Sequence, residues 1–245
     1  MDYLEKVTGK KVVYFQVQSN AAEVEAMRSG RLHIAGFSTG PTMYAVNLAG
    51  AVPFACRGYK DHFQSYNLLV ITHANSNIKT VADLKGKKVA HTSPSSNSGN
   101  LAPRALLPEL GVTPDKDYTV VFSGKHDQSI LGVRSKDYDA ACVASDVFQR
   151  MIDRGTVKES EFRIIYRSAP FPTSSYAYAH DLHPELVKKI KEAFFSFQFP
   201  KSMQDGLEGA TNFYPINYKK DWEVVRKVAE KAGEVFNFEN LKKLK

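Results

Sequence analysis

Short apolar runs alternate with amphipathic segments along most of this chain. Short runs of apolar and β-branched side chains are typical of buried strands, whereas the longer segments repeat their apolar positions every three to four residues, as helices do. This alternation predicts βαβ units, and therefore an α/β fold whose mostly parallel sheets are flanked by helices. The predicted strands are residues 11–16, 32–37, 52–57, 68–72, 88–91, 118–122, 140–144 and 163–166.

The predicted helices lie between most of these strands. Gly30 and Gly50 each follow a helical segment, at the position where a left-handed residue closes the last turn. The two longest helical segments fall in the C-terminal third, and no strand is predicted after the second, so we expect them to wrap the sheet. The predicted helices are residues 21–29, 41–49, 128–133, 183–197 and 221–236.

The length of 245 residues suits one large domain or two modest ones. If the sheet is divided, the extended segments near residues 68–72 and 175–179 are the best candidates for crossing between two lobes. We therefore expect one lobe to contain residues 1–70 and 178–245, and the second to contain residues 71–177. A ligand would bind in the cleft between the lobes, where loops carry polar groups beyond the ends of strands.

Composition and charge narrow the class of protein. The chain is 43% hydrophobic and 24% charged, as in globular proteins that fold in water. It lacks an apolar stretch of about 18 residues, the length that a membrane-spanning helix requires. The net charge is +7, but the lysines are scattered in small clusters at residues 85–88, 188–191 and 242–245. Such clusters are typical of solvated helix ends, so nucleic acid is not an expected partner.

Cys56 and Cys142 lie in the apolar contexts PFAC and AACVA. They have neither a CxxC spacing nor nearby histidines, so we expect two buried free thiols and no metal site. No cofactor motif occurs either. The chain begins without a secretory signal peptide, in a pattern typical of the last turns of a helix ending at Gly9. We therefore expect that a leader and a first strand precede this sequence.

A loop rich in hydroxyl and amide groups precedes a helical pattern in SPSSNSGNLAPRALLPEL, residues 93–110. Ser96, Asn97 and Ser98 each offer a side-chain donor, and Gly99 lets a ligand approach the backbone closely. The unpaired N–H groups and the dipole of the following helix add partial positive charge. This pattern predicts an oxyanion site, although serine and asparagine before a helix are also ordinary N-caps.

Four segments of the chain carry a resemblance to a known family. They are EAMRSGRLHIAGFSTGPTMYAV at 25–46, DLKGKKVAHTSPSSNSGNLAPRALLPELG at 83–111, SGKHDQSILGVRSKDYDAACVASD at 123–146 and HPELVKKIKEAFFSF at 183–197. The chain resembles the periplasmic phosphonate-binding proteins, which are the solute receptors of ATP-binding-cassette importers, over essentially its whole length. The resemblance implies the two-lobed type II fold of periplasmic binding proteins. It also implies capture of a ligand without chemistry.

The resemblance assigns roles to six residues. Ser96, Asn97 and Ser98 are implied to bind phosphonate oxygens, Tyr66 to line the site, and His126 to donate to the phosphonate. Asp146 is implied to pair with a ligand amine, or to accept the proton of a P–OH group. Taken alone, Tyr66 is more typical of a half-buried core, His126 of a surface or capping position at a helix start, and Asp146 of an N-cap.

Two positions depart from the aminoethylphosphonate-binding pattern. Asn20 stands where those proteins have a tyrosine before the helix that contains EAMRSG. Ser174, in PFPTSSYAY, or a neighbouring hydroxyl, stands where they carry a second acid. Losing that acid weakens the case for an ammonium group on the ligand. Phosphite, methylphosphonate, another small phosphonate or an organophosphate-like ligand therefore all remain open.

The sequence thus predicts a periplasmic receptor, not an enzyme, for a phosphonate or phosphite. We expect this receptor to be a monomer or weak dimer, with the membrane permease of the importer as its partner. One alternative is the ligand-sensing domain of a regulatory or signalling protein with the same fold. A second is a hydrolase that uses Ser98 as nucleophile, His126 as base and Asp146 as orienting acid. A third is a receptor of this architecture for a ligand without phosphorus.

Overall fold

The computed structural model describes residues 1–242, so residues 243–245 of the C-terminal lysine cluster lie outside it. In chain order the elements are α1 Asp2–Thr8, α2 Asn20–Arg28, β1 Ile34–Phe37, α3 Pro41–Ala49, β2 Ala51–Gly58, β3 Ser65–Tyr66, β4 Leu68–His73, β5 Lys88–His91, α4 Ala102–Leu106, β6 Thr119–Phe122, α5 His126–Arg134, β7 Ala140–Ala144, α6 Ser145–Asp153, β8 Phe162–Arg167, β9 Phe171–Pro172, β10 Ser175–Ala179, α7 Pro184–Ser196, α8 Lys201–Gly206, β11 Asn212–Pro215, α9 Tyr218–Asp221, α10 Glu223–Lys231 and α11 Phe238–Leu241.

The chain divides into two compact units. Unit 1 contains Met1–Ser65, Pro172–Glu223 and the segment from Phe236 onward, and unit 2 contains Tyr66–Phe171 and Val224–Val235. The boundaries differ from those expected, because the chain changes unit at β3 and β9 rather than within β4 and β10. Most of α10 also groups with unit 2, although we expected the whole C-terminal third in the first lobe.

The sheet of unit 1 has the order β1-β10-β2-β11. The pairings β1–β10, β10–β2 and β2–β11 are all antiparallel. Strands β1 and β2 run in the same direction and are joined by α3, but β10 returns from unit 2 and enters between them in the opposite direction. The α/β class is confirmed, but the expectation of a mostly parallel sheet is wrong for this unit.

The sheet of unit 2 has the order β6-β5-β7-β4-β8. Strand β5 is parallel to β6 and β7, whereas β4 is antiparallel to β7 and β8. The sheet is therefore mixed, and the expectation of a mostly parallel sheet is wrong for this unit as well. The register pairs Leu68, the first residue of β4, with Ala144, the last residue of β7. The carboxyl ends of β5, β6 and β7 therefore share one edge of the sheet with the start of β4.

The short apolar runs predicted most strands within one or two residues, but the prediction was wrong for residues 11–16, which form no helix or strand. Val13 and Tyr14 are exposed there. An apolar pattern becomes a strand only where a neighbouring backbone supplies hydrogen bonds, and this segment has no strand partner in the described part of the chain. Conversely, β11 was not predicted, because its partner β2 is distant in sequence.

Each unit has its own apolar core. In unit 1, Phe37 and Tyr44 pack with Val24 between the sheet and α2 and α3. In unit 2, Ile71 and Ile130 pack between the sheet and α5. Cys56 and Cys142 are buried and free, as expected. None of the helices described is both long enough and apolar enough to cross a membrane.

Candidate anion-binding site

Most of the predicted site residues gather at one edge of the unit 2 sheet. Tyr66 lies just before β4, and the hydroxyl-rich loop follows β5. His126 begins the helix after β6, and Asp146 is the second residue of the helix after β7. The strand order therefore brings together residues up to 80 positions apart in sequence, because parallel strands present their carboxyl ends on the same side.

The loop after β5 turns directly into a helix. Ser96 is the N-cap, and its hydroxyl accepts a hydrogen bond from the N–H of Gly99 at 3.1 Å. A π-helical turn over Asn97–Leu101 continues into α4. Asn97 and Ser98 are only 3% and 1% exposed. The sequence therefore predicted this loop and helix start correctly, and the N-cap interpretation and the anion-site interpretation apply to different residues of one loop.

Several polar atoms of this site are buried without a hydrogen-bond partner among the described residues: Thr92 Oγ1, Asn97 Oδ1, Ser98 Oγ and Asp146 Oδ1. Burying a polar group without a partner costs about 1–3 kcal/mol. Four such atoms on neighbouring segments of one sheet edge are unusual in a stable fold. They are the arrangement expected where a polar ligand supplies the missing partners.

Tyr66 is joined to the loop directly. The side-chain amide of Asn97 donates to the Tyr66 hydroxyl at 3.1 Å, and both residues are buried. The Tyr66 ring packs against Phe171 with centroids 6.0 Å apart. One N–H of the Asn97 amide is therefore used within the protein, and the second N–H keeps its capacity to donate.

His126 has a defined tautomer. Its Nδ1 accepts a hydrogen bond from the N–H of Ala144 at 3.1 Å, and its Nε2 lies 3.5 Å from Ser96 Oγ. Burial lowers the pKa of His126 to about 4, while Asp146 acts to raise it. The imidazole is therefore neutral near pH 7 with its proton on Nε2. It presents an N–H donor on the side of residues 92–99, the loop after β5, which we call the anion loop.

Asp146 lies in the first turn of α6, but its side chain caps no N–H of that helix. The Asp146 carboxyl group raises the pKa of His126, against the larger effect of burial. Ser145, one residue earlier, holds the start of α6 against Asn67, whose N–H donates to Ser145 Oγ at 2.9 Å. The N-cap alternative for Asp146 is therefore wrong, and its Oδ1 has no hydrogen-bond partner among residues 1–242.

Thr92 was missed by the sequence analysis. It directly follows β5, is buried, and its N–H donates to the carbonyl of Gly99 at 3.1 Å. A Cβ on Gly99 would overlap Thr92 Oγ1 and would lie 2.7 Å from Ser96 Oγ. Gly99 is therefore required by close packing, and a threonine at the carboxyl end of a central strand was the signal available in the sequence.

Asn20 and Ser174 lie in unit 1. Asn20 is the first residue of α2, whose N-cap is Ser19, and Ser174 lies between β9 and β10. Both are partly buried. Their assignment to the ligand site stays a prediction. No three histidine, cysteine, aspartate or glutamate side chains are grouped to hold a metal ion within residues 1–242.

Sequence comparison relates the chain to proteins of known kind. The family model described as "ABC transporter, phosphonate, periplasmic substrate-binding protein" matches residues 1–222. The phosphate-import protein PhnD of Mycolicibacterium smegmatis is 33% identical over 237 residues, which cover 91% of this chain and 73% of that protein.

More distant matches include the tetrathionate sensor histidine kinase TtrS of Salmonella typhimurium. It is 24% identical over 155 residues, 59% of this chain and 26% of the kinase. The structure of PhnD1 from Prochlorococcus marinus in complex with methylphosphonate aligns with a TM-score of 0.81 and 20% identity, and the alignment covers 96% of this chain and 90% of that one. At this identity the structural match shows the fold alone.

Proposed function

Because this chain belongs to the family of periplasmic substrate-binding proteins of phosphonate ABC transporters, we propose that it captures a small phosphorus oxyanion for an ABC importer. Phosphonates, methylphosphonate and phosphite are the ligands that the sequence suggested. The M. smegmatis relative is named for phosphate import, so inorganic phosphate joins this range. The shared chemistry is a tetrahedral phosphorus centre with two or more oxygens.

The observation that carries the proposal is the set of buried and partly buried polar groups at one edge of unit 2. Ser96 and Ser98 supply hydroxyl groups, His126 supplies the Nε2–H, and the start of the π-helical turn supplies backbone N–H groups. Neutral donors that converge on one volume suit an anion, because each hydrogen bond to a charged oxygen is worth about 1.5–3 kcal/mol.

Asp146 gives the site an acceptor, and this supports a ligand that carries a proton. A carboxylate beside an anion is repulsive unless a hydrogen lies between the two groups. A phosphonate or phosphate monoanion has a P–OH proton to donate, whereas sulfate has none near neutral pH. We infer that Asp146 favours protonated phosphorus oxyanions and disfavours sulfate.

The geometry does not favour a hydrolase. In a serine hydrolase the base accepts from the nucleophile through one nitrogen and donates to the orienting acid through the other. Here His126 Nδ1 is occupied as an acceptor by the N–H of Ala144, so it cannot donate to Asp146. Ser98 Oγ has no hydrogen bond to any described residue. We infer that the chain binds its ligand without turnover.

Family membership also suggests where the protein works and with what partner. Periplasmic substrate-binding proteins act outside the cytoplasmic membrane, so we infer an extracytoplasmic location and a membrane permease as partner. We also propose that the receptor is a monomer or weak dimer.

Isothermal titration of ligand-stripped protein tests the proposal. Methylphosphonate, aminoethylphosphonate, phosphite, phosphate and sulfate are titrated separately at pH 7. We expect one-to-one binding of at least one phosphorus oxyanion, and binding of sulfate weaker by ~100-fold or more. Folded protein that binds none of the phosphorus compounds would contradict the proposal.

The match to a sensor histidine kinase favours a second candidate, a domain that reports ligand to a signalling protein. Capture would be the same, but the partner would differ. Stimulation of ATP hydrolysis by a reconstituted importer on adding ligand-loaded protein supports transport. A response only from a histidine kinase supports sensing.

A further inference from the structure

A buried network of side chains lies behind the anion loop and does not include any residue assigned to the ligand. It joins Tyr118, His91, Asn100 and Arg104, of which His91 is 0% exposed. His91 is the last residue of β5, and Asn100 lies in the π-helical turn that follows the loop. The network therefore spans the two ends of the loop that presents Ser96, Asn97 and Ser98.

Asn100 is the centre of this network, and its amide has only one possible orientation. Its Nδ2 donates to the carbonyl of Pro94 at 2.8 Å, and its Oδ1 accepts from Arg104 Nε at 2.9 Å. A carbonyl can only accept and a guanidinium can only donate, so the nitrogen and oxygen of Asn100 cannot be exchanged. Asn100 therefore clamps the loop at Pro94 to the helix that follows.

The orientation of Asn100 fixes the tautomer of His91. Asn100 Oδ1 is an acceptor, so His91 Nδ1, 2.9 Å away, carries the proton. His91 Nε2 then accepts from the Tyr118 hydroxyl, also at 2.9 Å. Burial lowers the pKa of His91 to about 4, which agrees with a neutral ring. Hydrogen bonds thus run in a single direction, from Tyr118 through His91 to Asn100.

Two backbone hydrogen bonds also hold the loop together. The N–H of Thr92 donates to the carbonyl of Gly99 at 3.1 Å, and the N–H of Asn100 donates to the carbonyl of Ser96 at 3.0 Å. Among residues 1–242, the side-chain hydrogen bond that joins this network to the loop at Pro94 is the one donated by Asn100 Nδ2. Without it, the segment before Ser96 is held by its backbone bonds alone.

We propose that Asn100, held by His91 and Tyr118, is a positioning residue that sets the anion loop in its binding conformation before the ligand arrives. This inference rests on the proposed function for its effect on affinity, but not for its effect on the loop itself. Preorganised donors bind more tightly because less conformational entropy is lost on binding. Asn100 touches no ligand, and it acts through the placement of Ser96 and its neighbours.

Asn100→Asp and Asn100→Ala separate the effect of the hydrogen bond from Asn100 Nδ2 to Pro94, which we call the Pro94 clamp, from that of the rest of the network. An aspartate keeps the acceptor for His91 Nδ1–H and Arg104 Nε–H, but as a carboxylate it cannot donate to Pro94. An alanine removes all three contacts. Arg104→Met is the matched control, because it removes a bond to Asn100 Oδ1 and leaves the Pro94 clamp in place.

Hydrogen exchange of the ligand-free proteins gives a readout that is independent of ligand charge. We expect the segment 93–101 to exchange at least ~10-fold faster in Asn100→Asp and Asn100→Ala, whereas β5 and the Arg104→Met protein stay close to wild type. Titration with the tightest of the phosphorus oxyanions should show a Kd raised ~10-fold or more in Asn100→Ala, with unchanged stoichiometry.

The outcomes are distinguishable. Wild-type exchange in the loop of a folded Asn100→Asp protein overturns the positioning role, whatever the ligand. A Kd within about twofold of wild type for a folded Asn100→Ala protein does the same. If the wild-type protein binds no phosphorus oxyanion, the proposed function fails, but faster loop exchange in both Asn100 variants still supports the clamp.

Discussion

The backbone N–H of Ala144 donates to His126 Nδ1 at 3.1 Å. Ala144 is the last residue of β7 and His126 is the first residue of α5, so this bond joins the central strand to the helix that follows β6. It assigns the imidazole proton to Nε2, on the side of Ser96. A contact to the main chain thereby fixes the donor that the site offers to an anion.

The two nitrogens of His126 can be tested separately. Glutamine places an amide nitrogen near the position of Nε2 and keeps the donor. Asparagine keeps an acceptor for Ala144 but does not reach the position of Nε2. We expect His126→Asn to weaken phosphonate binding by about 10- to 100-fold and His126→Gln to weaken it less, as measured by isothermal titration. Equal losses in the two variants would contradict the assigned tautomer.

The stability of the protein should fall in mild acid. The pKa of His91 and that of His126 are both lowered to about 4, below the value of about 6.5 in an unfolded chain. Between these values the unfolded state binds protons that the folded state does not. The free energy of unfolding therefore decreases as the pH falls from about 6.5 to about 4, by up to about 1.4 kcal/mol per pH unit for each histidine.

Urea denaturation at pH 7.5, 6.5, 5.5 and 4.5 measures this slope. A folded His126→Gln protein should show a shallower dependence, because one of the two groups is gone. Stability that is constant across this range would show that neither imidazole is held neutral by the fold.

Asp146 should control discrimination between phosphorus oxyanions and sulfate. Asp146→Asn removes the charge and keeps the shape, so the loss of an acceptor for P–OH should weaken binding of the preferred phosphorus ligand by ~10-fold or more. Rejection of sulfate should weaken in parallel. Asp153→Asn, at the exposed end of the same helix, is the matched control. Unchanged affinity and unchanged selectivity in Asp146→Asn would show that Asp146 does not accept the P–OH proton of the ligand.

Tyr66 should contribute through its hydroxyl. Tyr66→Phe keeps the ring against Phe171 but removes the acceptor for the Asn97 amide. One buried hydrogen bond is worth about 0.5–1.5 kcal/mol of stability, which the variant should lose. Because the Asn97 amide is then no longer oriented, we also expect affinity to fall by about 3- to 10-fold. Tyr178→Phe, whose ring packs in unit 1 against Phe54, serves as the control. Wild-type affinity in Tyr66→Phe would show that Tyr66 is a core residue without a role in ligand binding.

Gly99 should tolerate no side chain. In Gly99→Ala the new Cβ would overlap Thr92 Oγ1. Relieving the overlap requires moving either β5 or the anion loop, at a cost of about 1–3 kcal/mol. We expect a lower melting temperature by calorimetry and greatly weakened ligand binding. Gly206→Ala, which meets no atom within 4 Å, should be close to wild type in both respects.

The sequence predicted the local features of the site because they depend on neighbouring residues. A run of serine and asparagine before an amphipathic pattern predicts an N-cap followed by a helix, and Ser96 does cap the turn that begins at Asn97. The short apolar runs predicted both ends of β5 and of β7 correctly. The α/β class followed from the order of apolar runs and amphipathic segments along the chain, and the family followed from four sequence segments.

Tertiary structure decided what local patterns cannot encode. Residues 11–16 contain an apolar run typical of a strand, but they form no strand, because strand pairing depends on a partner backbone. The insertion of β10 between β1 and β2 reversed the expected parallel sheet of unit 1. The partners of Asn97, His126 and Asn100 are 31, 18 and 9 residues away in sequence. Their roles emerged only when the strand order of unit 2 placed these groups at one edge, because hydrogen bonds require proximity in space and sequence specifies it only through the completed fold.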